Sequence, residues 1–478
     1  MNQETRDSLR LPYAFARQQH ILILGNSDGK TDVLVDESTP ITAIAEVQRL
    51  AAPLRVTRTE SSDFVRRLEA HYAWQDNDAA AAVDALGQDV DVARLMEEVS
   101  ESSDLLDGDN DAPIIRTINA LLNQAVRDGA SDIHIEPFES ASVVRLRIDG
   151  ILRDIAHPHP GLHAALISRI KIMASLDIAE KRLPQDGRIA LRIGAKAIDV
   201  RVSTLPVSRG ERAVLRLLDK DRGRMQLDTL GLSAPSQVIF DQLLNQPHGI
   251  VLVTGPTGSG KTTTLYAALS RLPRDELNIM TVEDPIEYEL SGISQTQAHS
   301  RIGMDFARAL RAILRQDPDV VMIGEIRDQE TAQIAVQGSL TGHLVLATLH
   351  TNDAPSAVTR LIDMGIEPFL LASSLSGVLA QRLVRKLCLH CRHQDENGRW
   401  LAVGCAKCNG SGYLGRTGVY ELLTVTPRLA TCIHDGAAES EIRRIAHEDG
   451  MISMSSDAAR WIEAGITTAE EVARATRD

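Results

Sequence analysis

The sequence predicts an α/β fold built round a mainly parallel sheet, and three observations lead to this prediction. Apolar runs of strand length, rich in β-branched residues, alternate with helical patterns through the second half of the chain. One run, residues 249–254, leads directly into the glycine-rich stretch 255–262 and then into the helical pattern 263–269. Polar residues follow three further runs where each run ends, and this edge of a parallel sheet is where ligands bind.

Composition limits the class of protein and its partners. A chain of 478 residues is too long for one ordinary core, and its 43% hydrophobic and 24% charged residues are typical of soluble globular proteins. A net charge of −14 and an aromatic share of 3% oppose a nucleic-acid partner, which would require basic and stacking surfaces. The sequence contains neither a signal peptide nor a long apolar run. We therefore expect a cytoplasmic, multidomain protein.

Residues 1–96 are interpreted as a small N-terminal domain. Its apolar patterns predict strands at 21–24 and 33–35 and helices at 41–51 and 62–71. No catalytic pattern accompanies these elements, so we expect the domain to act in docking.

Residues 97–111 are acidic and polar, which predicts a flexible linker. Residues 112–228 then predict a second domain of α+β type. Its expected helices and strands are 114–127, 131–137, 143–148, 162–175, 189–193, 197–203 and 212–217. His134 stands alone on its strand, so we interpret it as structural rather than catalytic.

The third predicted domain, residues 229–478, contains the pattern G-x-x-x-x-G-K-[ST] between a strand and a helix. In such a loop the backbone N–H groups and the positive end of the helix hold a phosphate chain. Lys261 is expected to reach the terminal phosphates, and the Thr262 hydroxyl to hold Mg²⁺. The expected nucleotide-binding residues are Gly255, Pro256, Thr257, Gly258, Ser259, Gly260, Lys261, Thr262 and Thr263.

Nucleotide hydrolysis also requires carboxylates for Mg²⁺ and for the attacking water. The strand predicted at 278–282 is followed by Glu283 and Glu287, and we assign the polarisation of water to Glu283 with Glu287 as the alternative. Glu325 follows the strand predicted at 319–323, at the place of a Walker-B carboxylate. Gly324 stands where an aspartate is more common.

Histidines and arginines are the remaining candidates. His343 and His350 flank the strand predicted at 344–347 and could sense a γ-phosphate, although single histidines are more often structural. Arg311 and Arg315, four residues apart, are expected on one face of a helix. Guanidinium groups stabilise charge that develops on phosphoryl oxygens, but a solvated basic stripe would have the same pattern.

Four cysteines form two C-x₂-C pairs, Cys388 with Cys391 and Cys405 with Cys408. This spacing predicts a tetrahedral Zn²⁺ site, and four protein ligands leave no open position, so the zinc should be structural. We place the zinc-binding insert at residues 386–416. Cys432 lies apart and is expected in the core.

Taken together, these motifs resemble the secretion ATPases of the type II secretion and type IV pilus superfamily. The resemblance rests on the loop 255–262 and on the segments TVEDPIEY at 281–288, IGEIRD at 323–328 and TGHLVLATLHTN at 341–352. It extends to SDIHIEP at 131–137 and RVST at 201–204. The four-cysteine insert is similar to that of the assembly-type members and is absent from the pilus retraction ATPases. The N-terminal LPYAFA at 11–16 and the single short N-terminal domain are most similar to the type II, GspE/PulE-like members.

The resemblance implies a RecA-like P-loop NTPase domain preceded by a PAS-like α+β domain and a small N-terminal α/β docking domain. It implies a homohexamer that hydrolyses ATP, with Mg²⁺, to drive pseudopilus assembly and protein export. Arg201 and Arg216 would reach the nucleotide from the second domain. Four further arginines fall near other functional arginines of the family: Arg311, Arg315, Arg327 and Arg416. The expected partners are a GspL-like inner-membrane protein, bound through the N-terminal domain, and a GspF-like membrane platform. The protein would thus associate peripherally with the inner membrane.

Two alternatives remain at this point. An extension ATPase of a type IV pilus shares the same motifs but usually has a longer N-terminal region. A nucleotide-regulated scaffold without turnover is opposed by the presence of Lys261, Thr262, Glu283 and Glu325.

Overall fold

The computed structural model describes residues 11, 16, 19–27, 30–51, 53–61, 63, 64, 67, 111–139, 141–193, 196–219, 226–299 and 302–476. Nearly all of the predicted linker 97–111, and most of the predicted helix 62–71 and of the segment 11–16, lie outside these residues. The chain divides into two compact units, residues 1–146 with 153–217 and residues 147–152 with 218–478. None of the described helices is long and apolar enough to span a membrane.

The N-terminal sheet contains β1 (Ile21–Ser27), β2 (Lys30–Val35) and β3 (Leu54–Arg58). β1 pairs with β2 in antiparallel orientation, and β2 pairs with β3 in parallel orientation. The parallel pair requires a crossover, which the amphipathic helix α1 (Ile41–Ala51) supplies. Its Val47 is fully buried in the same core as Ile21 and Val33. The predicted strands and the helix at 41–51 are confirmed.

The second sheet of the first unit has the strand order β6-β5-β4-β9-β8-β7. Residues on β5 alternate between buried and half-buried positions, because one face of the sheet packs on the core. All seven predicted elements of this region are confirmed. The elements observed are α2 (Asp111–Arg127), β4 (Asp132–Pro137), β5 (Ser142–Ile148), β6 (Ile151–Ala156), α3 (Pro160–Met173), β7 (Gln185–Ile193), β8 (Lys196–Val207) and β9 (Gly210–Asp219).

Within the described part of the second unit, seven strands form one sheet of order β12-β11-β13-β14-β10-β15-β18. All neighbouring pairs are parallel except β15 and β18, which are antiparallel. This confirms the predicted mainly parallel α/β sheet. The first elements are α4 (Ala234–Leu244), β10 (Gly249–Thr254), α5 (Lys261–Arg271), β11 (Ile279–Glu283), β12 (Ser294–Gln297), α6 (Phe306–Ile313), β13 (Val320–Ile323), α7 (Gln329–Leu340) and β14 (Leu344–Leu349).

The chain then continues through two helices and a long antiparallel hairpin to a helical C-terminal segment. These elements are α8 (Ala354–Asp363), α9 (Pro368–Ser374), β15 (Leu375–Leu387), β16 (His393–Gln394), β17 (Trp400–Leu401), β18 (Tyr413–Thr424), α10 (Pro427–His434), α11 (Glu439–Glu448), α12 (Met454–Glu463) and α13 (Ala469–Thr476). The four cysteines lie in the hairpin connection between β15 and β18, residues 388–412.

Every residue of β10 is buried, and so is every residue of β14, which lies next to it. Apolar cores lie on both faces of the sheet, one containing Ile250 and Leu252 and the other containing Val251 and Val253. A strand covered on both faces is a near-continuous apolar run, which is why its position could be predicted. Cys432 lies in the first of these cores, as expected.

The helix that contains Arg311 is shorter than predicted. α6 ends at Ile313, so Arg315 lies in the turn that follows the helix, where its guanidinium donates to the carbonyl oxygen of Arg311 at 2.8 Å. Asp317, with a left-handed φ of 50° directly before Pro318, ends this turn.

Candidate active site

The loop between β10 and α5 depends on glycines with left-handed backbone conformations. Gly258 and Gly260 have φ values of 81° and 89°, which residues with a Cβ rarely adopt. A Cβ on Gly258 would meet no atom within 4 Å, so the loop opens into free space at this position. Gly260 directly precedes α5, whose positive end therefore faces the loop. The loop has the features of an anion-binding site at a helix N-terminus.

Lys261 begins α5 and folds back across the loop. Its Nζ donates to the carbonyl oxygens of Gly255, at 2.7 Å, and Pro256, at 3.1 Å. Burial lowers the pKa of Lys261 to about 8, with a further lowering by Arg382 and an opposing effect of Glu325. The ammonium thus lacks a strong anionic partner, and phosphate oxygens are suited to provide one.

Glu325 and His350 converge on this lysine from the ends of β13 and β14. His350 Nε2 lies 3.0 Å from Glu325 Oε1, and its Nδ1 lies 3.5 Å from Lys261 Nζ. Burial and the nearby Lys261 lower the pKa of His350, which favours the neutral imidazole. Arg327 Nε donates to the other oxygen of Glu325 at 2.8 Å. The predicted site residues Lys261, Glu325 and His350 therefore form one cluster at the loop.

Glu283 has a different environment. It is buried at the end of β11, and its carboxylate accepts hydrogen bonds from Tyr266, from Thr281 Oγ1 at 2.6 Å and from Gln295 Nε2 at 3.0 Å. None of these donors belongs to the loop 255–262. The assignment of the attacking water to Glu283, with Glu287 as the alternative, stays a prediction.

The predicted arginines are dispersed. Arg311 pairs with Glu330 across two helices, and Arg416 lies opposite Arg385 in the β15–β18 hairpin. Arg201 and Arg216 belong to the first unit, where Arg216 Nε donates to Asp132 Oδ1 at 2.8 Å. Their roles toward a nucleotide stay predictions. His343 is bonded to the carbonyl oxygen of Gly338 at 2.8 Å, as a structural histidine would be.

Sequence reasoning missed two residues of β15 that contact the site. Gln381 is buried against the glycine-rich loop, and Arg382 donates to Asn352 Oδ1 at 3.1 Å, just beyond His350. The only signal in the sequence was an adjacent polar pair inside an apolar strand. Their partners lie far away in the chain, so no local pattern identified them.

The four cysteines of the insert lie together, with each sulfur within 4.8 Å of the others. Cys388 and Cys405 have sulfurs 3.9 Å apart, and those of Cys391 and Cys408 are 3.7 Å apart. Four sulfurs bound tetrahedrally to zinc at about 2.3 Å lie about 3.8 Å from one another, so the cluster fits this metal.

The thiols of the cluster differ in acidity. Burial and the neighbouring sulfurs raise the pKa of Cys391 to about 12. Against the effect of burial, the backbone N–H groups of Cys405 and Gly412 lower the pKa of Cys408 to about 6. A metal ion would displace the remaining protons, because zinc binds thiolates.

A parallel α/β sheet with a phosphate loop, an adjacent lysine and a carboxylate–histidine pair at its strand ends defines the protein as a P-loop nucleoside triphosphatase. The loop and α5 form its Walker A element.

Comparison with known proteins gives the family. Residues 107–474 match the family described as type II/IV secretion system protein, and residues 10–72 match an N-terminal domain family of GSPII protein E. The chain belongs to the type II/IV secretion system protein family and is an ATPase of the type II secretion class. This confirms the predicted family.

Relatives match along the whole chain. Type II secretion system protein HxcR of Pseudomonas aeruginosa is 60% identical over 468 residues, which cover 98% of this chain and 99% of the relative. Type II secretion system ATPase E of Vibrio cholerae is 49% identical, with 99% and 98% covered. The solved structure of the pilus retraction motor PilT with bound ADP has a TM-score of 0.53 and 26% identity, and covers 75% of this chain and 96% of its own. The full-length matches to type II secretion proteins do not favour the alternative of a type IV pilus extension ATPase.

Proposed function

We propose that the protein hydrolyses ATP to ADP and phosphate to power pseudopilus assembly and protein export by a type II secretion system. The convergence of Lys261, Glu325 and His350 on the phosphate loop carries the proposal. These residues provide a cation for the phosphates, a carboxylate and a neutral imidazole within hydrogen-bonding reach of one another.

Each residue receives a role from its position. The backbone N–H groups of residues 255–263, Pro256 excepted, would hold the phosphates, and Lys261 would neutralise the terminal phosphates. Thr262 would hold Mg²⁺ with help from Glu325 through water. When bound, Mg²⁺ would neutralise phosphate charge. His350, bonded to Glu325, is positioned to detect whether the γ-phosphate is present.

Glu283 is proposed to polarise the attacking water, with Glu287 as the alternative. This role requires one oxygen of Glu283 to exchange a protein donor for water. Arg201 and Arg216 are proposed to stabilise charge on the phosphates, since a guanidinium can donate two parallel hydrogen bonds to phosphate oxygens. For Arg216 this means release from Asp132.

The proposed assembly is a homohexamer at the inner membrane. The domain within residues 1–96 would bind a GspL-like protein, and a GspF-like platform is a further proposed partner. Deletion of residues 1–96 should abolish membrane recruitment in cells and leave nucleotide binding unchanged. A truncated protein still found in the membrane fraction would contradict the docking role.

Mg²⁺-dependent phosphate release tests the function, measured over a range of protein concentrations with and without the cytoplasmic part of a GspL-like partner. We expect turnover that rises with both, because a ring forms by mass action and its partner stabilises it. Lys261→Ala, in which the fold should be retained, is the control and should abolish turnover. Failure of the wild-type chain to bind or hydrolyse ATP with the partner present would overturn the proposal.

A further inference from the structure

Gln381 of β15 lies beneath the phosphate loop and connects it to the sheet. The side chain is 1% exposed, and its Nε2 donates to the carbonyl oxygen of Ser259 at 2.6 Å. Its Oε1 accepts from Thr264 Oγ1 at 2.8 Å. Both the nitrogen and the oxygen of the amide are hydrogen-bonded, so the orientation of the amide is fixed. One side chain thus joins the loop to the first turns of α5.

The loop also lies close to residue 381 at two of its glycines. A Cβ on Gly255 would lie 2.5 Å from the carbonyl oxygen of Gln381, and one on Gly260 would lie 3.2 Å from Gln381 Nε2. Glycines have many accessible conformations. Contacts from outside the loop are therefore needed to select one of them.

We propose that Gln381 is a positioning residue of the nucleotide site, an inference that rests on the proposed function. The C=O of Ser259 and the N–H of Gly260 belong to one planar trans peptide and point in opposite directions. By holding the Ser259 oxygen toward β15, Gln381 directs the Gly260 N–H away from β15. This N–H is then preorganised as a phosphate donor before nucleotide binds.

Glutamine is suited to this position because it offers a donor and an acceptor on one short side chain. Leucine would fill a similar volume but leave the buried Ser259 oxygen without its donor. Glutamate would keep the bond from Thr264 and place an acceptor against the Ser259 oxygen. The two substitutions therefore remove the loop contact in different ways.

The test measures dissociation constants of ADP and ATP, together with kcat and KM, for the full chain and its variants. Q381L should weaken binding of both nucleotides roughly tenfold, the effect of leaving a buried acceptor unsatisfied. The value of kcat should change less than about threefold, because the loop contacts are made in the ground state as well as in the transition state. Q333L, an exposed glutamine of α7, is the matched control and should bind like wild type.

Q381E supplies a readout that a merely structural role would not change. Burial raises the pKa of a glutamate, and its protonated form can donate to the Ser259 oxygen. Binding by Q381E, relative to wild type at the same pH, should therefore be weak at pH 8 and recover toward pH 6. T264V removes the bond between Gln381 and α5 but leaves the contact of Gln381 with the loop, so it should weaken binding less than Q381L does.

Each outcome decides between the two proposals. If wild type binds and hydrolyses ATP while Q381L and Q381E bind within twofold of wild type, the positioning role is refuted and the proposed function stands. If wild type itself neither binds nor hydrolyses ATP, the proposed function fails. Thermal melting checks the folding of each variant. Should Q381L fail to fold, the pH-dependent ratio of Q381E to wild type carries the test, and a flat ratio overturns the inference.

Discussion

Nucleotide binding should be accompanied by the uptake of a proton at alkaline pH, because the pKa of Lys261 is lowered in the nucleotide-free protein. Burial holds this pKa at about 8 in the free protein. Phosphate oxygens next to the ammonium favour its charged form and should return the pKa at least to its ordinary value near 10.4. The protonated form is therefore the one that binds. Affinity should change little below about pH 7 and fall as pH rises through 8.

Linkage between proton and nucleotide binding gives the magnitude. With a pKa of about 8 in the free protein, binding should take up about 0.1 proton at pH 7, about 0.5 at pH 8 and about 0.9 at pH 9. Affinity should consequently fall about fivefold between pH 8 and pH 9. His350 does not contribute between pH 7 and pH 9, because the ordinary pKa of histidine already lies below this range and burial lowers the pKa of His350 further.

Calorimetric titration with ADP, in buffers of different ionisation enthalpy at each pH, measures this uptake directly. Lys261→Arg is the control, since a guanidinium does not titrate between pH 7 and 9. Its proton uptake should not rise with pH. Equal uptake by the wild-type protein at pH 7 and pH 9, or a rise that persists in the arginine variant, would refute the reasoning.

Three further predictions concern the proposed catalytic carboxylate, the cysteine cluster and a buried ion pair. Glu325→Gln should bind ATP within about threefold of wild type yet hydrolyse it at least roughly a hundredfold more slowly; loss of binding in an equilibrium assay would contradict the assigned role. Replacing Cys388 and Cys391 by serine should release zinc and lower the melting temperature, whereas wild-type protein free of zinc by elemental analysis would refute the metal site. Glu471→Gln should lower the free energy of unfolding at pH 7 by about 3 kcal/mol. Burial alone would raise the pKa of the Glu471 carboxyl, but hydrogen bonds from Arg474 and Arg385 lower it to about 2, so the folded state favours the ionised form. This stabilisation is present above pH 4.5 and fades as pH falls toward 2, so urea unfolding should show a variant difference at pH 7 that shrinks on acidification; a difference below about 1 kcal/mol at pH 7 would contradict it.

The residues whose positions could be predicted from the sequence carry their signals locally. The strand before the loop, the glycines and Lys261 are consecutive, and their spacing alone specifies a phosphate loop. Glu325 and His350 could be placed near Lys261 because each follows an apolar run, and the carboxyl ends of parallel strands share one edge. The structure brings the three side chains together as that rule requires.

Residues whose role depends on distant partners could not be predicted. Gln381 acts on a loop more than a hundred positions earlier, through a strand pairing that no periodicity specifies. The environment of Glu283 was hidden for the same reason, since Tyr266 and Gln295 approach it from other elements. The end of α6 at Ile313 could not be predicted, because the helical pattern of the sequence continues through Arg315.

The hairpin of β15 and β18 places the entry and exit of the cysteine insert side by side, because Leu387 is the cross-strand partner of Tyr413. A segment that leaves and rejoins a sheet at neighbouring points can change length without altering the register of the strands. Residues 388–412 thus form an insertion between two paired strands, which evolution can enlarge, shorten or replace by a tight turn. The same property makes this position a suitable place for grafting a label or a foreign domain onto the ATPase while its sheet keeps the same strand pairing.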